Sequence, residues 1–239
     1  MSKSRRVLIP LRDHNPRVRF PIATLLIVAA NALVFLYGRS FGPLGEQALV
    51  AVGGAIPYEI VHNVDLPPRD LLPLPGSIWT SMFLHGGWMH LIGNMWFLWL
   101  FGDNVEDALG PVRYLLFYFV VGTVGALAQI FAMPDSTVPM IGASGAVAGA
   151  LGAYVMLFPQ ARVATLIPIP LLWPVIDVRA WVFLGLWFVG QFLLPTGSGV
   201  AWMAHVGGFL AGAGLVRVLA PRKTAPPVEV EYIPPSRRF

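Results

Sequence analysis

Six apolar stretches succeed one another along this chain: Phe20–Gly38, His90–Gly102, Val112–Ala132, Ser144–Phe158, Asp177–Leu194 and Trp202–Ala220. Several approach the roughly 20 residues that carry an α-helix across the hydrocarbon core of a bilayer. The composition agrees, being 56% hydrophobic and 12% charged, about half the charge of a typical soluble domain. The sequence therefore predicts an all-α, polytopic membrane protein with six transmembrane helices. Residues 20–220 form one membrane domain, preceded by a basic tail (1–19) and followed by a Pro-rich, charged tail (221–239) expected to be disordered.

The charges set an orientation. Lys3, Arg5, Arg6, Arg12, Arg17 and Arg19 precede the first stretch, and Arg217, Arg222, Lys223, Arg237 and Arg238 lie at or beyond the end of the last. Basic residues stay on the cytoplasmic side, so both termini are expected there, which requires an even number of spans. Arg113, Arg162 and Arg179 fall in loops this arrangement places inside, whereas the outer loops hold only Arg39 and Arg69. The net charge of +4 thus reports membrane orientation, and no basic amphipathic face offers itself to nucleic acid. The first apolar stretch is long for a cleavable signal peptide, lacks a small-x-small cleavage site, and is read as a retained helix. The connection from Arg39 to Thr80 is rich in Pro and Gly and is expected on the outer membrane surface as short interfacial helices. Cysteine is absent, which excludes disulfides, thiol catalysis and thiolate metal sites.

Polar residues inside a membrane are expensive and mark functional candidates. Four stand out: His90, Asn94, Ser144 and His205. Counted from the cytoplasmic ends of their stretches at about 1.5 Å per residue, they lie at about 20, 14, 21 and 18 Å. Polar side chains from three helices thus share one slab nearer the outer surface. The helices of Ser144 and His205 also carry small-xxx-small pairs, Gly145/Gly149 and Gly208/Gly212, that let backbones approach closely in lipid. Ser144 follows the irregular segment "PDSTVPMIGA", so it falls at a helix N-terminus, where unpaired N–H groups and the helix dipole favour negative charge. A serine with a histidine base and nearby donors reads as an acyl-transfer site.

Plainer readings stand beside this one. A serine at a helix start serves as an N-cap, and a membrane His or Asn can be interhelical glue. A metal site is disfavoured, because His85 and His90 have no helical carboxylate or third ligand beside them. No cofactor is expected. A small transporter would favour membrane charges or an inverted repeat, and neither is visible.

The motifs "HGGWMHLIGN" (His85, His90, Asn94), "GASG" (Gly142–Gly145, with Ser144) and "AHVGGFLAG" (Ala204–Gly212, with His205) occur in an order and on helices that resemble the rhomboid intramembrane serine proteases. The segment "FGDNVEDALGPVRYLLFY" is similar to the second loop and third helix of bacterial members, and the likeness covers about Ile78–Leu219. It implies a six-helix rhomboid bundle in a bacterial cytoplasmic membrane, cutting transmembrane segments of other membrane proteins near the outer face. It implies Ser144 as nucleophile and His205 as general base and acid, with the oxyanion held by the Ser144 N–H, Asn94 and His90. The rival within the same family is a catalytically silent protein that binds membrane clients. No Asp or Glu lies at the depth of the site, in keeping with a dyad. The sequence departs from well-known members at Ala148, where they carry a Tyr that stacks on the histidine. His205 must then be oriented by another group, such as Tyr154, Trp202 or backbone. The sequence specifies neither a particular substrate nor an oligomeric state.

Overall fold

The computed structural model describes residues 8–169, 172–193 and 199–220. Among these the chain is mostly helical. In order come strand β1 (Ile9–Asp13), helices α1 (Ile22–Ser40), α2 (Gly42–Gly53), α3 (Pro57–His62), α4 (Ser77–Ser81) and α5 (Trp88–Phe97), a π-helical turn at Leu98–Gly102, and α6 (Asp103–Leu109). Then follow α7 (Pro111–Ala132), α8 (Ser144–Leu157), β2 (Arg162–Leu166), β3 (Val175–Arg179), α9 (Ala180–Gln191) and α10 (Trp202–Leu219). Helices α1, α7 and α10 are long and apolar enough to cross a membrane, and α8 and α9 are shorter apolar helices. From Trp88 to Leu109 the chain is helical without interruption through the π turn.

Prolines at the first positions of α2, α3 and α7 supply a preset φ where no amide donor is needed. Gly110, at φ +80°, turns the chain into α7, a conformation that costs a side-chain-bearing residue energy. The connection between α1 and α5 holds α2, α3 and α4, the short helices expected there.

Helix α8 is the centre of the molecule. Every residue from Gly145 to Tyr154 is buried, and the helix packs against both α7 and α10. Its side chains are small enough for close approach: a Cβ on Gly152 would overlap the Phe209 carbonyl, and one on Gly149 would overlap the Val121 side chain. Association in lipid rests on such close packing, because burial from lipid gives no hydrophobic gain.

The all-α expectation needs one correction. Strands β1, β2 and β3 form an antiparallel sheet in that order, pairing Ile9 with Leu166, Asp13 with Val163, and Arg162 with Arg179. Its β-branched residues, Val163, Thr165, Val175, Ile176 and Val178, suit a pleated surface, but most lie between apolar stretches, and β3 replaces the first residues of the stretch expected as a helix from Asp177. Residues 9–19, expected as a tail, are instead strapped to the α5–α6 region. Trp96 Nε1 donates to the Pro10 carbonyl at 2.8 Å, Arg17 pairs with Asp103 at 2.8 Å, and Asp107 accepts from the Val18 and Arg19 N–H groups. Buried Glu106 accepts from the N–H groups of Ala23 and Thr24, satisfying orphan donors of the first turn of α1 at its positive end.

Candidate active site

Ser144 is the first residue of α8. The cap position before it is Ala143, whose side chain cannot cap, so Ser144 is not the N-cap of the helix. The turn is set by Gly142, whose φ is +118° and whose N–H donates to the Ser81 carbonyl at 2.9 Å. A Cβ on Gly142 would stand 2.7 Å from His90 Nε2 and 3.7 Å from Asn94 Nδ2. Glycine is therefore demanded here by φ, and a Cβ would also press on the His90 ring.

On the other side of Ser144, Gly145 packs on Ala204: a Cβ there would lie 3.5 Å from the Ala204 carbonyl oxygen. Ala204 is also gripped by Gly125 of α7, whose own Cβ would come within 2.6 Å of the same oxygen. The residue after Ala204 is His205. The turn carrying Ser144 thus lies between the His90–Asn94 face of α5 and the segment of α10 that bears His205. All four residues singled out in the sequence converge on one region. No hydrogen bond joins Ser144 to His205 among the described residues.

Asn94 is buried, and its Nδ2 lies 3.0 Å from His85 Nε2. With Asn94 Nδ2 as donor, Nε2 accepts and His85 carries its proton on Nδ1, a buried atom turned to the Phe83 backbone. One of the two Asn94 N–H bonds is then committed to His85, and the other is free to point at a ligand. The His85 and His90 rings meet edge to face at 5.0 Å. His85, left without a role by the sequence, buttresses Asn94. A cavity of about 430 Å³, lined by Val34, Phe35, Leu84, Ile141 and other residues, reaches His85.

His205 is oriented by a residue that sequence reasoning missed. Its Nδ1 lies 2.7 Å from Oε1 of Gln191, the last residue of α9, and the Trp187 ring lies 6.0 Å away at 34°. Neither side chain suggested for the task takes part. Tyr154 is fully buried against Phe101 and Phe158, and Trp202 packs on Phe192. The available signal was Gln191 itself, an amide within an apolar stretch. Another membrane amide, Gln129 of α7, accepts from the Met203 N–H at 3.1 Å and so caps the start of α10.

The sequence profile of the Rhomboid domain matches residues 76–222. RHOMBOID-like protein 5 of Arabidopsis thaliana is 30% identical over 95% of this chain and 78% of its own length. Rhomboid protease GluP of Bacillus subtilis is 34% identical over 56% of this chain and 24% of its own. Rhomboid protein 1, mitochondrial, of Saccharomyces cerevisiae is 33% identical over 65% of this chain and 45% of its own. This chain therefore spans less than half the length of the last two. Relatives from a plant, a bacterium and a mitochondrion do not single out a bacterial cytoplasmic membrane. With the matched region covering more than half of the sequence, this chain is a multi-pass membrane protein of the rhomboid family.

Proposed function

We propose that this protein is an intramembrane serine endopeptidase that cuts transmembrane segments of other membrane proteins near the outer face of its membrane. In this reading α1, α5 with its π turn, α7, α8, α9 and α10 are the six spans, both termini lie on the cytoplasmic side, and residues 20–220 are the membrane domain. The observation that carries the reading is the position of the Ser144 turn, with Gly142 against His90 and Asn94 on one side and Gly145 against Ala204 on the other.

His205 Nε2 takes the proton of Ser144 Oγ as that oxygen attacks the scissile carbonyl carbon. The carbonyl oxygen becomes an oxyanion and accepts hydrogen bonds from the Ser144 N–H, the free Asn94 N–H and His90. His205 then gives its proton to the leaving amine, the C–N bond breaks, and water repeats the sequence on the acyl-enzyme. The Ser144–His205 hydrogen bond is the contact this chemistry must add, and such bonds commonly tighten only in the substrate complex. A substrate helix must unwind to expose its carbonyl, since a helical carbonyl is already hydrogen-bonded. Gly, Pro or polar residues in the substrate lower that cost.

The missing Ser144–His205 contact favours one second reading, a silent family member that holds membrane clients without cutting them. The two are separated by incubating purified protein with a panel of single-span proteins and locating cuts by mass spectrometry. Cleavage inside a span, absent in Ser144→Ala, is expected. Intact substrates throughout would leave the silent reading.

A further inference from the structure

Gln191 makes two hydrogen bonds, and together they determine which nitrogen of His205 carries the proton. The side chain is buried at the C-terminal end of α9. Its Nε2 lies 3.0 Å from the carbonyl oxygen of Trp187, one turn back on the same helix, and its Oε1 lies 2.7 Å from His205 Nδ1. The orientation of an amide is ambiguous in isolation, but here the partner decides it. A carbonyl oxygen can only accept, so the end facing Trp187 must be NH2, and a flipped amide would set two acceptors against each other. The end facing His205 is therefore the oxygen. It too can only accept, so Nδ1 must donate and Nε2 is left with its lone pair free. That is the tautomer a general base needs, with the proton on the nitrogen turned away from the nucleophile.

We propose that Gln191 is a positioning residue that locks His205 in the Nδ1–H tautomer and holds its ring, so that the serine–histidine dyad is held in place by a third, neutral side chain. The proposal rests on the reading of His205 as the base. A neutral amide meets this need without a carboxylate, whose charge would be costly at this depth. It also explains how Ala148 is tolerated, because the ring is tethered from α9 by a hydrogen bond and flanked by Trp187 on the same helix. When His205 is protonated during the reaction, the Nδ1–H···Oε1 bond becomes charge-assisted and shortens, so the same contact favours the charged intermediate.

The test reads the tautomer directly. In protein carrying 15N-histidine in detergent, the His205 signals are identified by their loss in His205→Ala. The wild type should show a protonated Nδ1 and a bare Nε2. Gln191→Met, similar in length but without the carbonyl, should lose that preference, and kcat should fall roughly 10- to 100-fold with KM unchanged, as when a group that orients a reacting ligand is removed. Gln191→Glu, in its neutral protonated form, can donate to the Trp187 carbonyl and accept from His205 as the amide does, and should recover the Nδ1–H tautomer and most of the rate. A wild-type His205 protonated on Nε2 would overturn the proposal, and so would Gln191→Met with unchanged tautomer and kcat. The spectrum requires no cleavage, so an Nδ1–H tautomer in a protein that cuts nothing would support the role of Gln191 while sinking the proteolytic reading alone.

Discussion

Gly208 of α10 lies so close to Gly145 of α8 that a Cβ on Gly208 would overlap the Gly145 carbonyl oxygen. One turn on, Gly212 meets the carbonyl of Gly149 in the same way. Two helices lie backbone to backbone over two turns, and the contact begins beside Ser144 and three residues from His205. Gly208→Ala should force the helices apart and destabilise the fold by roughly 1–3 kcal/mol, the usual cost of overpacking. Gly214, on the same helix, has nothing within 4 Å of its Cβ position, and Gly214→Ala should be neutral or stabilising. Thermal unfolding in detergent compares the two, and equal midpoints would refute the backbone contact.

The dyad makes its own prediction. A fluorophosphonate reacts with an activated hydroxyl rather than an ordinary one, so it should label Ser144 in the intact protein. Labelling should drop to background in Ser144→Ala and in His205→Ala, with both variants still folded. Near-normal labelling of His205→Ala would mean that some other group activates the serine.

The large features of this molecule were legible because lipid imposes strict rules. Apolar length gave the helices, most of them within two or three residues of their observed ends, and the cost of burying polar groups pointed to His90, Asn94, Ser144 and His205. The rhomboid resemblance was legible in three short motifs. What escaped was set by tertiary contact. Gln191 differs in no local way from a stray amide until α9 is placed beside α10. The sheet escaped because β2 takes β1 from far upstream as one neighbour, while β3 runs into the start of an apolar stretch read as a helix. His85 was visible as a motif residue, but its support of Asn94 depends on the path of the loop before α5.

Asn94 should act on the transition state rather than on binding. Asn94→Ala should lower kcat by roughly 10- to 1000-fold with little change in KM, since one oxyanion donor contributes about 2–4 kcal/mol. Steady-state kinetics on a cleaved single-span substrate measures both constants. A rise in KM with kcat unchanged would recast Asn94 as a binding or packing residue.

The proposed orientation follows from the Lys and Arg residues at both ends of the sequence. A reporter active only outside the cytoplasm should be silent when fused after Phe239 and active when inserted near Gly197, a position outside the described residues. Activity at the C-terminal fusion would overturn the proposed six-span arrangement with both termini inside.

Asp13 supplies a pH dependence outside the proposed spans. Its carboxylate accepts from the Asn15 N–H and from Asn104 Nδ2, each at 2.9 Å. Burial raises its pKa from 3.8 to about 6; the nearby charge of Asp103 adds to this, and the Asn15 hydrogen bond offsets part of it. The folded protein thus keeps a proton between about pH 4 and pH 6 that the unfolded chain releases. Because the native state binds more protons in that window, stability falls as pH rises through it and levels off above. The full change attributable to this one group is about 2–3 kcal/mol, at 1.36 kcal/mol for each pH unit. Thermal midpoints measured between pH 4 and pH 8 should therefore decline more steeply in the wild type than in Asp13→Asn, whatever the absolute stability of the variant, since only the slope reports proton uptake. Parallel slopes would show that the β1 carboxyl titrates normally and that its burial under the strap is not felt.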